Sequence, residues 1–268
     1  MSAPLLSVIV PVYNEAGAVR ASVERLRAVP LRMEVICVDD ASTDGSADVL
    51  AALLRDGRVD AVVTHARNLG KGAAVRSGIA RVSGEVLVIH DADLEYDPAD
   101  LPRLLEPIAA GRADAVFGSR FLGGTHRVLR FWQRVGNEVL TRLSNAATGL
   151  HLTDMETCYK MARTDLVRSL PLSATRFGIE VELTARLAQS GARIHEIPIH
   201  YDGRGYSEGK KIGWKDGVAA IFHVLHYNLL GPRPPRYTRT AMPREGGGAL
   251  TRPPDSGHPL PKLPGRGY

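Results

Sequence analysis

The sequence predicts an α/β fold built on a mostly parallel, Rossmann-like sheet flanked by helices. Short apolar runs typical of buried strands alternate along the chain with helical segments of about ten residues or more. This alternation favours right-handed crossovers between parallel neighbours. The 268 residues suffice for one large domain of this kind or for two small ones.

The period of the apolar residues predicts the elements in order. The run from Leu6 to Val12 is continuous and strand-like, whereas Val19, Val23 and Leu26 recur at helical spacing. The same two patterns predict strands at 6–12, 35–38, 61–64, 86–90 and 115–118, and helices at 15–29, 46–55, 73–82, 98–110 and 177–189.

The stretch 85–97 is the centre of the predicted site, because an apolar strand is followed there by Asp91, Asp93, Glu95 and Asp97. The carboxyl end of a buried strand is where an open α/β sheet binds ligands. In an extended segment Asp91 and Asp93 would point the same way and share one hard divalent cation, which would relieve their mutual repulsion. The alternative is an acidic turn in which Asp97 starts the next helix.

Polar residues follow three other strands. They occupy 11–15 (PVYNE), 39–45 (DDASTDG) and 68–76 (NLGKGAAVR). The first two segments carry groups suited to hydrogen bonds with a base and ribose. The third is a glycine-bearing loop before a helix, whose N–H groups and Lys71 suit phosphates. The alternative is that the aspartates cap a helix and the glycines make a turn.

Charge is unevenly distributed along the chain. Residues 1–231 contain 27 Lys and Arg against 27 Asp and Glu, whereas 232–268 contain seven against two, together with nine of the 17 prolines. A neutral body argues against nucleic acid as the main partner, because binding to a phosphate backbone requires a basic face. We predict a folded domain over 1–231 and a disordered tail over 232–268, which has too little apolar surface to fold.

Membrane and redox signals are few. No signal peptide or transmembrane span is predicted, and Cys37 and Cys158 lack metal-type spacing, so we expect a cytoplasmic protein with buried thiols. Residues 214–230 predict an amphipathic helix that either packs onto the domain or lies peripherally on the inner face of the membrane. The apolar side of this helix consists of Val218, Ile221, Phe222, Leu225 and Leu229.

Taken in order, the segments PVYNE, DDASTDG, NLGKGAAVRSGI and DADLEYDP resemble the family 2 inverting glycosyltransferases of GT-A fold. The resemblance is closest to the branch of dolichol-phosphate mannosyltransferases and polyprenyl-phosphate glycosyltransferases. Gly118-Ser119-Arg120 and the segment from Asp154 to Lys160 extend the match, which covers roughly residues 5–215.

The resemblance implies a donor site. Asp91, Asp93 and Glu95 would hold Mg or Mn on the diphosphate of the donor. Glu95 departs from the family pattern, because mannosyltransferases often have a metal-binding Gln at this position, and the departure leaves the sugar open. The nucleotide sugar would be bound by Pro11, Tyr13, Glu15, Asp39, Asp40, Lys71, Gly72, Asp91 and Ala92.

The resemblance also implies an acceptor side. Cationic groups at Arg120, Arg204 and Lys210 would bind an acceptor phosphate, and Asp154 would line the site. Together with Asp93 these are the predicted catalytic residues. For Arg130, Arg134 and Arg142 we favour a solvated surface position instead.

The implied reaction moves a hexose of mannose or glucose type from a GDP- or UDP-hexose to a polyprenyl or dolichyl phosphate. A lipid phosphate is already anionic and requires no general base, whereas a hydroxyl acceptor requires one. Glu156, Glu180 and Glu182 are candidate bases, although the last two equally fit a solvated helix face or partners for nearby arginines. The alternatives are a transferase acting on a sugar or small-molecule hydroxyl, and a nucleotide-sugar binding module without turnover.

Overall fold

The computed structural model describes residues 6–123, 131–176, 178–203 and 214–239. In the two helices that begin at 131 and 214, side chains are described from 134 and from 220 onward. The predicted site residues Arg204 and Lys210, Arg130 on the acceptor side and the tail from 240 to 268 lie outside the described residues.

Seven strands form one sheet. They are β1 (Leu6–Val12), β2 (Met33–Asp39), β3 (Ala61–Thr64), β4 (Val86–Ile89), β5 (Ala115–Ser119), β6 (Lys160–Arg163) and β7 (Ile194–Pro198). Their order across the sheet is β3-β2-β1-β4-β6-β5-β7. Neighbours run parallel except β6, which lies antiparallel between β4 and β5. The predicted α/β fold with a mostly parallel sheet is confirmed.

Helices connect these strands over the described part of the chain. They are α1 (Val19–Ala28), α2 (Ser46–Arg55), α3 (Lys71–Ile79), α4 (Leu101–Ala109), α5 (Phe131–Thr148), α6 (Thr164–Ser169), α7 (Ile179–Gln189) and α8 (Trp214–Leu225). A 3₁₀ turn at Pro98–Asp100 precedes α4, and a π-helical turn at His226–Leu230 follows α8.

The core is centred on β1, whose apolar residues are buried on both faces, as in a parallel strand covered from both sides. Val8, Ile9 and Val10 have no exposed surface. Helix α3 packs closely across β1, because Gly78 presents only its backbone to Ile9 and a Cβ there would overlap with Ile9 Cγ2. This contact holds α3, with Lys71 as its first residue, against the sheet.

The first helix starts later than predicted, at Val19 rather than at residue 15. Asn14 adopts a left-handed conformation with φ of 57°, which ends the strand in a turn. The N–H of Asn14 donates to Ser42 Oγ at 3.0 Å and that of Glu15 to Ser46 Oγ at 2.9 Å. These bonds to the loop after β2 and to the start of α2 hold residues 14 and 15 in the turn, and the helix begins only after it.

Strands β6 and β7 escaped the sequence analysis. The short strand β6 begins and ends with basic residues, Lys160 and Arg163, which hide the apolar signal of a strand. Both side chains are nevertheless buried, and Lys160 Nζ donates to the carbonyls of Met155 and Thr157, each at 2.6 Å. Strand β7 lies at the edge of the sheet and is only half buried.

Ordered contacts continue past the predicted domain boundary at 231. The N–H of Tyr237 donates to the carbonyl of Ser190 at 2.8 Å, and Arg163 Nε donates to Tyr237 Oη at 2.7 Å. The domain therefore extends at least to Tyr237. Disorder of the tail remains a prediction, since its residues from 240 onward are not described.

Among the described helices, none combines the length and the apolar character that crossing a bilayer requires. Helix α8 is followed by a π-helical turn that begins at His226 and contains Asn228. Charged and polar residues also interrupt the longer helix α5.

We expect Gly78→Ala to lower the free energy of unfolding by about 1–3 kcal/mol, because the added methyl group forces α3 away from Ile9. Gly136→Ala is the matched control, since a Cβ at this exposed position in α5 meets no atom within 4 Å. Because alanine has a higher helix propensity than glycine, Gly136→Ala should stabilise the protein by about 0.5–1 kcal/mol. Urea denaturation measures both, and equal midpoints for the two variants would contradict the packing.

Candidate active site

The carboxyl ends of β1 and β2 bring two predicted segments together. Val12 pairs with Asp39 in the sheet, and the N–H of Asp40 donates to the carbonyl of Val12 at 2.9 Å. Tyr13 is 49% exposed, so its ring is available to a ligand. Asp39 is buried and accepts a hydrogen bond from the N–H of Ser42 at 3.1 Å. Pro11, near the end of β1, and Glu15, in the turn that follows, are half-buried.

The carboxylate of Asp40 forms hydrogen bonds within the protein. It accepts the N–H groups of Leu69 at 2.9 Å and Gly70 at 2.7 Å, and it contacts His65 Nδ1 at 2.7 Å. These contacts fix the glycine loop before α3, and they are not a helix cap, because the donors precede the first helical residue. A nucleotide contact by Asp40 remains a prediction, and its observed role is to position the loop.

The glycine loop lies directly against the segment before α7. Gly70 has φ of 92°, and a Cβ on Gly72 would lie 2.5 Å from the carbonyl oxygen of Ala174. The N–H of Gly72 donates to the carbonyl of Arg176 at 3.2 Å. The two glycines are therefore required by close backbone packing, and binding of phosphate by Gly72 remains a prediction.

Residues 91–97, here called the acidic loop, turn instead of continuing the strand. Strand β4 ends at Ile89, and Leu94 has φ of 63°. Asp93 Oδ1 accepts the N–H of Glu95 at 3.3 Å. The expectation that this segment is extended is therefore wrong, whereas the sharing of one ion by Asp91 and Asp93 remains a prediction.

His90 fastens the acidic loop to the core. Its ring is buried and hydrogen-bonded to Ser22 Oγ at 3.1 Å and to Tyr159 Oη at 2.9 Å, while its N–H donates to the carbonyl of Ile9. Burial lowers the pKa of His90 to about 4, so the imidazole is neutral at physiological pH. A polar residue directly before Asp91 was the signal that the sequence analysis did not use.

Lys71 bridges two carboxylates at this edge. Its Nζ lies 2.8 Å from Asp91 Oδ1 and 2.7 Å from Glu180 Oε1. Burial alone would lower the pKa of Lys71, but Asp91 and Glu180 hold it well above its usual range, so the ammonium stays charged. Lys71 thus reaches the acidic loop, as a phosphate-binding lysine there would have to. Next to Asp91, Ala92 is buried.

Arg120 and Asp154 form a buried ion pair after β5. Arg120 Nε donates to Asp154 Oδ2 at 2.6 Å and Nη2 to Asp154 Oδ1 at 2.8 Å, a bidentate arrangement. Nη2 also donates to Asn137 Oδ1 at 3.2 Å. Asp154 has no exposed surface, and its own N–H donates to Glu196 Oε1 at 3.0 Å. Asp154 is therefore a positioning residue for Arg120, and the sequence analysis missed Asn137 and Glu196.

Tyr201 connects Arg120 to the acidic loop. Its hydroxyl donates to Glu95 Oε2 at 2.8 Å, and its ring centre lies 5.1 Å from the Arg120 guanidinium carbon. The N–H of Asp202 donates to the carbonyl of Glu95 at 2.9 Å. Donor-side and acceptor-side predictions therefore converge at one site. Tyr201 stands directly before Asp202-Gly203, which is a turn signal. The sequence analysis considered only the cations that follow this signal.

Glu180 and Glu182 do not form a solvated helix face, contrary to one of the expectations. Glu182 has no exposed surface, and its carboxylate accepts the N–H groups of Ser173 at 2.9 Å and Ala174 at 2.7 Å. Glu180 is paired with Lys71, as described above. The surface position expected for Arg142 is confirmed, since it is exposed and pairs with Glu138; Arg134 is exposed as well.

The described residues fit the predicted metal site only in part. Among the described residues, no three His, Cys, Asp or Glu side chains converge as a ready-made metal centre. Glu95 is buried and accepts the Tyr201 hydroxyl, which argues against its role as a third ligand. Magnesium is commonly held by one or two carboxylates together with substrate phosphates, and Asp91 and Asp93 fit that smaller set.

Known proteins similar to this chain fall in one group. The model of the family described as glycosyl transferase family 2 matches residues 7–170. An undecaprenyl-phosphate mannosyltransferase of Micrococcus luteus is 34% identical over 235 residues, which cover 82% of this chain and 93% of that protein. A polyprenol monophosphomannose synthase of Mycolicibacterium smegmatis is 31% identical over 234 residues, covering 84% and 87%.

Solved structures share the fold. The crystal structure of glucosyl-3-phosphoglycerate synthase from Mycobacterium tuberculosis, in complex with Mn²⁺, uridine diphosphate and glucosyl-3-phosphoglycerate, matches with a TM-score of 0.64 and 21% identity. The match covers 85% of this chain and 81% of that one. At this identity the likeness concerns the fold, and it confirms the predicted GT-A type of sheet.

We expect Asp154→Asn to lower the free energy of unfolding by about 3–5 kcal/mol, because it leaves the buried guanidinium of Arg120 without its counter-charge. Glu138→Gln is the control, since the exposed pair of Glu138 and Arg142 should contribute about 0–1 kcal/mol. Urea denaturation followed by circular dichroism measures both. A midpoint for Asp154→Asn equal to that of the control would show that the pair does not stabilise the fold.

Proposed function

The chain belongs to glycosyl transferase family 2, and on this premise we propose that it moves a hexose of mannose or glucose type from a nucleotide sugar to a polyprenyl phosphate, with inversion at the anomeric carbon. Its relatives of known activity support a nucleotide-sugar-dependent transferase acting on polyprenyl phosphates. The observation that carries the proposal is the convergence of the acidic loop, Lys71 and the Arg120–Asp154 pair at one edge of the sheet.

On the donor side, the exposed ring of Tyr13 beside the end of β2 suits a nucleoside, and the acidic loop suits a diphosphate with its cation. Mg or Mn held by Asp91 and Asp93 would neutralise charge on the leaving diphosphate. Lys71 orients Asp91 from the other side through its 2.8 Å contact. Glu95 would not contact the cation but would stabilise the conformation of the acidic loop through its hydrogen bond with Tyr201.

On the acceptor side, Arg120 is the cation that the described residues offer. Its side chain is 14% exposed, so the guanidinium is fixed by Asp154 and still reachable from the site. An acceptor phosphate is anionic at neutral pH and attacks without giving up a proton, so no general base is required. Arg204 and Lys210 would add to this cationic site; both remain predictions outside the described residues.

A hydroxyl acceptor is the second candidate. It would require a base in reach of the donor, and Glu180, joined to Asp91 through Lys71, is the described carboxylate placed for that task. Such a base would be visible as a titrating group in the pH dependence of turnover. A lipid phosphate acceptor predicts no such dependence on Glu180.

We expect purified protein with Mn²⁺ to form a lipid-linked hexose from one member of a panel of GDP- and UDP-hexoses and a short polyprenyl phosphate, detected by mass spectrometry. Asp93→Ala should reduce the rate by at least about a hundredfold, since several kcal/mol of charge stabilisation are lost. Asp48→Ala, at an exposed position in α2, is the control. Donor binding across the panel without lipid-linked product would refute the lipid acceptor and favour a hydroxyl.

We further propose that the chain meets its lipid substrate through an apolar face formed by Ile221, Phe222, Leu225, Leu229 and Leu230. These side chains are 39%, 60%, 49%, 70% and 76% exposed, respectively. The other side of the same segment, at Val224 and Tyr227, is buried against the domain. Over the described residues, the apolar side of the predicted amphipathic helix therefore faces outward, which favours the membrane alternative over packing of that side onto the domain.

A bilayer surface is the occupant that this face fits. Val139 and Leu143 on the neighbouring helix α5 are also exposed, which widens the apolar area. Arg233 and Arg236 follow directly and are exposed, and each arginine near an anionic membrane contributes about 1 kcal/mol of attraction. Apolar side chains flanked by arginines are typical of segments that rest on a membrane interface.

We expect the double variant Phe222→Ser, Leu229→Ser to bind anionic vesicles at least about tenfold more weakly than the wild type in flotation assays, since two exposed side chains no longer enter the lipid. Leu54→Ser is the control, because Leu54 is similarly exposed, at 42%, on α2. Turnover with a short, water-soluble polyprenyl phosphate should be unchanged in the double variant. Unaltered flotation of this variant would mean that the apolar face does not meet lipid.

A further inference from the structure

Glu156 carries a buried carboxylate oxygen that the described protein leaves unsatisfied. The residue lies between Asp154 and β6, and its Oε1 is inaccessible to solvent and has no hydrogen-bond partner among the described residues. A buried polar atom without a partner costs about 1–3 kcal/mol, so its retention calls for an explanation such as a bound ligand. The residue as a whole is only partly buried, so a small movement of its side chain would bring the carboxyl group to the surface.

The charged groups around Glu156 are already engaged elsewhere. Lys160 Nζ donates to the carbonyls of Met155 and Thr157, and Arg120 is bound by Asp154. Burial and the neighbouring carboxylate of Glu180 raise the pKa of Glu156 to about 7, against the opposing effect of Lys160 and Arg120. The carboxyl group is thus only partly ionised at neutral pH.

We infer that Glu156 binds a hydroxyl group of the transferred sugar and helps to determine which sugar the protein accepts. This inference rests on the proposed function. Glu180, which acts on Glu156 electrostatically, contacts Lys71 at 2.7 Å, and Lys71 contacts Asp91 at 2.8 Å. Arg120 also acts on Glu156 electrostatically, so the carboxyl group lies near both the Lys71–Glu180 pair on the donor side and the cation on the acceptor side.

The chemistry of the surroundings selects a neutral hydroxyl group over an anion. Burial disfavours charge at this point, and the nearby carboxylate of Glu180 together with Glu156 itself would repel a phosphate. A sugar hydroxyl is uncharged and can donate to Oε1, which needs a donor. A site built to hydrogen-bond a substrate hydroxyl strongly rejects analogues that lack it, because the buried partner is then left unpaired.

The test compares the affinity for a nucleotide sugar with that for its sugar-free nucleoside diphosphate, using GDP-mannose with GDP and UDP-glucose with UDP in calorimetry. Glu156→Ala should weaken binding of the nucleotide sugar that the wild type prefers by about 10- to 100-fold and leave the nucleoside diphosphate unaffected. Glu106→Gln, an exposed position in α4, is the control with unchanged binding of both.

A second measurement separates this role from a structural one. In the wild type, the affinity gained from the sugar should rise between about pH 6 and about pH 8, because the ionised carboxylate is the stronger acceptor and its pKa is about 7. Glu156→Gln, which keeps the shape of the side chain, should make this gain independent of pH. The wild-type profile alone tests the inference if a variant fails to fold.

Two outcomes would overturn the inference, and binding of nucleotide sugars by the wild type distinguishes between them. If the wild type binds and turns over a nucleotide sugar, but Glu156→Ala weakens nucleotide sugar and nucleoside diphosphate equally and the wild-type gain is flat with pH, then Glu156 does not contact the sugar. If the wild type binds none of the nucleotide sugars, the proposed function itself fails and the inference fails with it.

Discussion

The constraint on which the rest of the structure depends is the balance of buried charge at the carboxyl edge of the sheet. Asp91, Glu180 and Asp154 are carboxylates in or near this edge, and Lys71 and Arg120 are the cations that compensate them. Removing either member of such a buried pair leaves an uncompensated charge, which is far more costly than losing an exposed ion pair. The surrounding structure must therefore hold each of these charged groups next to its partner.

The fold supplies that support through backbone contacts instead of long side chains. Gly78 lets α3 approach β1 closely, and Gly72 lets the start of α3 meet the segment before α7, so Lys71 is held from two directions. Glu196 accepts the N–H of Asp154 and thereby fixes the carboxylate that binds Arg120. A preorganised site of this kind requires little rearrangement when charge develops on a leaving diphosphate.

The proposed reaction requires two chemically different surfaces. A diphosphate donor and a phosphate acceptor call for fixed cations and carboxylates, which the sheet edge provides. A polyprenyl chain calls for an apolar surface, which the exposed apolar face around Phe222 and Leu229 would supply. Glu156 would add the remaining element, recognition of the neutral sugar between the two charged ends.

The sequence by itself determined the strand and helix alternation, the acidic loop and the membership suggested by its motifs, because these signals are local in the chain. The period of the apolar residues, and the acidic residues that follow a strand, can be recognised from neighbouring positions in the chain alone. Only the tertiary structure decided that Asp40 binds the backbone of the glycine loop, that Glu180 pairs with Lys71, and that Tyr201 bridges Glu95 and Arg120. The pairs involved are separated by 30 to 109 positions, since Asp40 meets Gly70, Lys71 meets Glu180 and Tyr201 meets Glu95 across the fold. Such pairings follow from the order of strands in the sheet, and that order depends on packing between elements that no local pattern encodes.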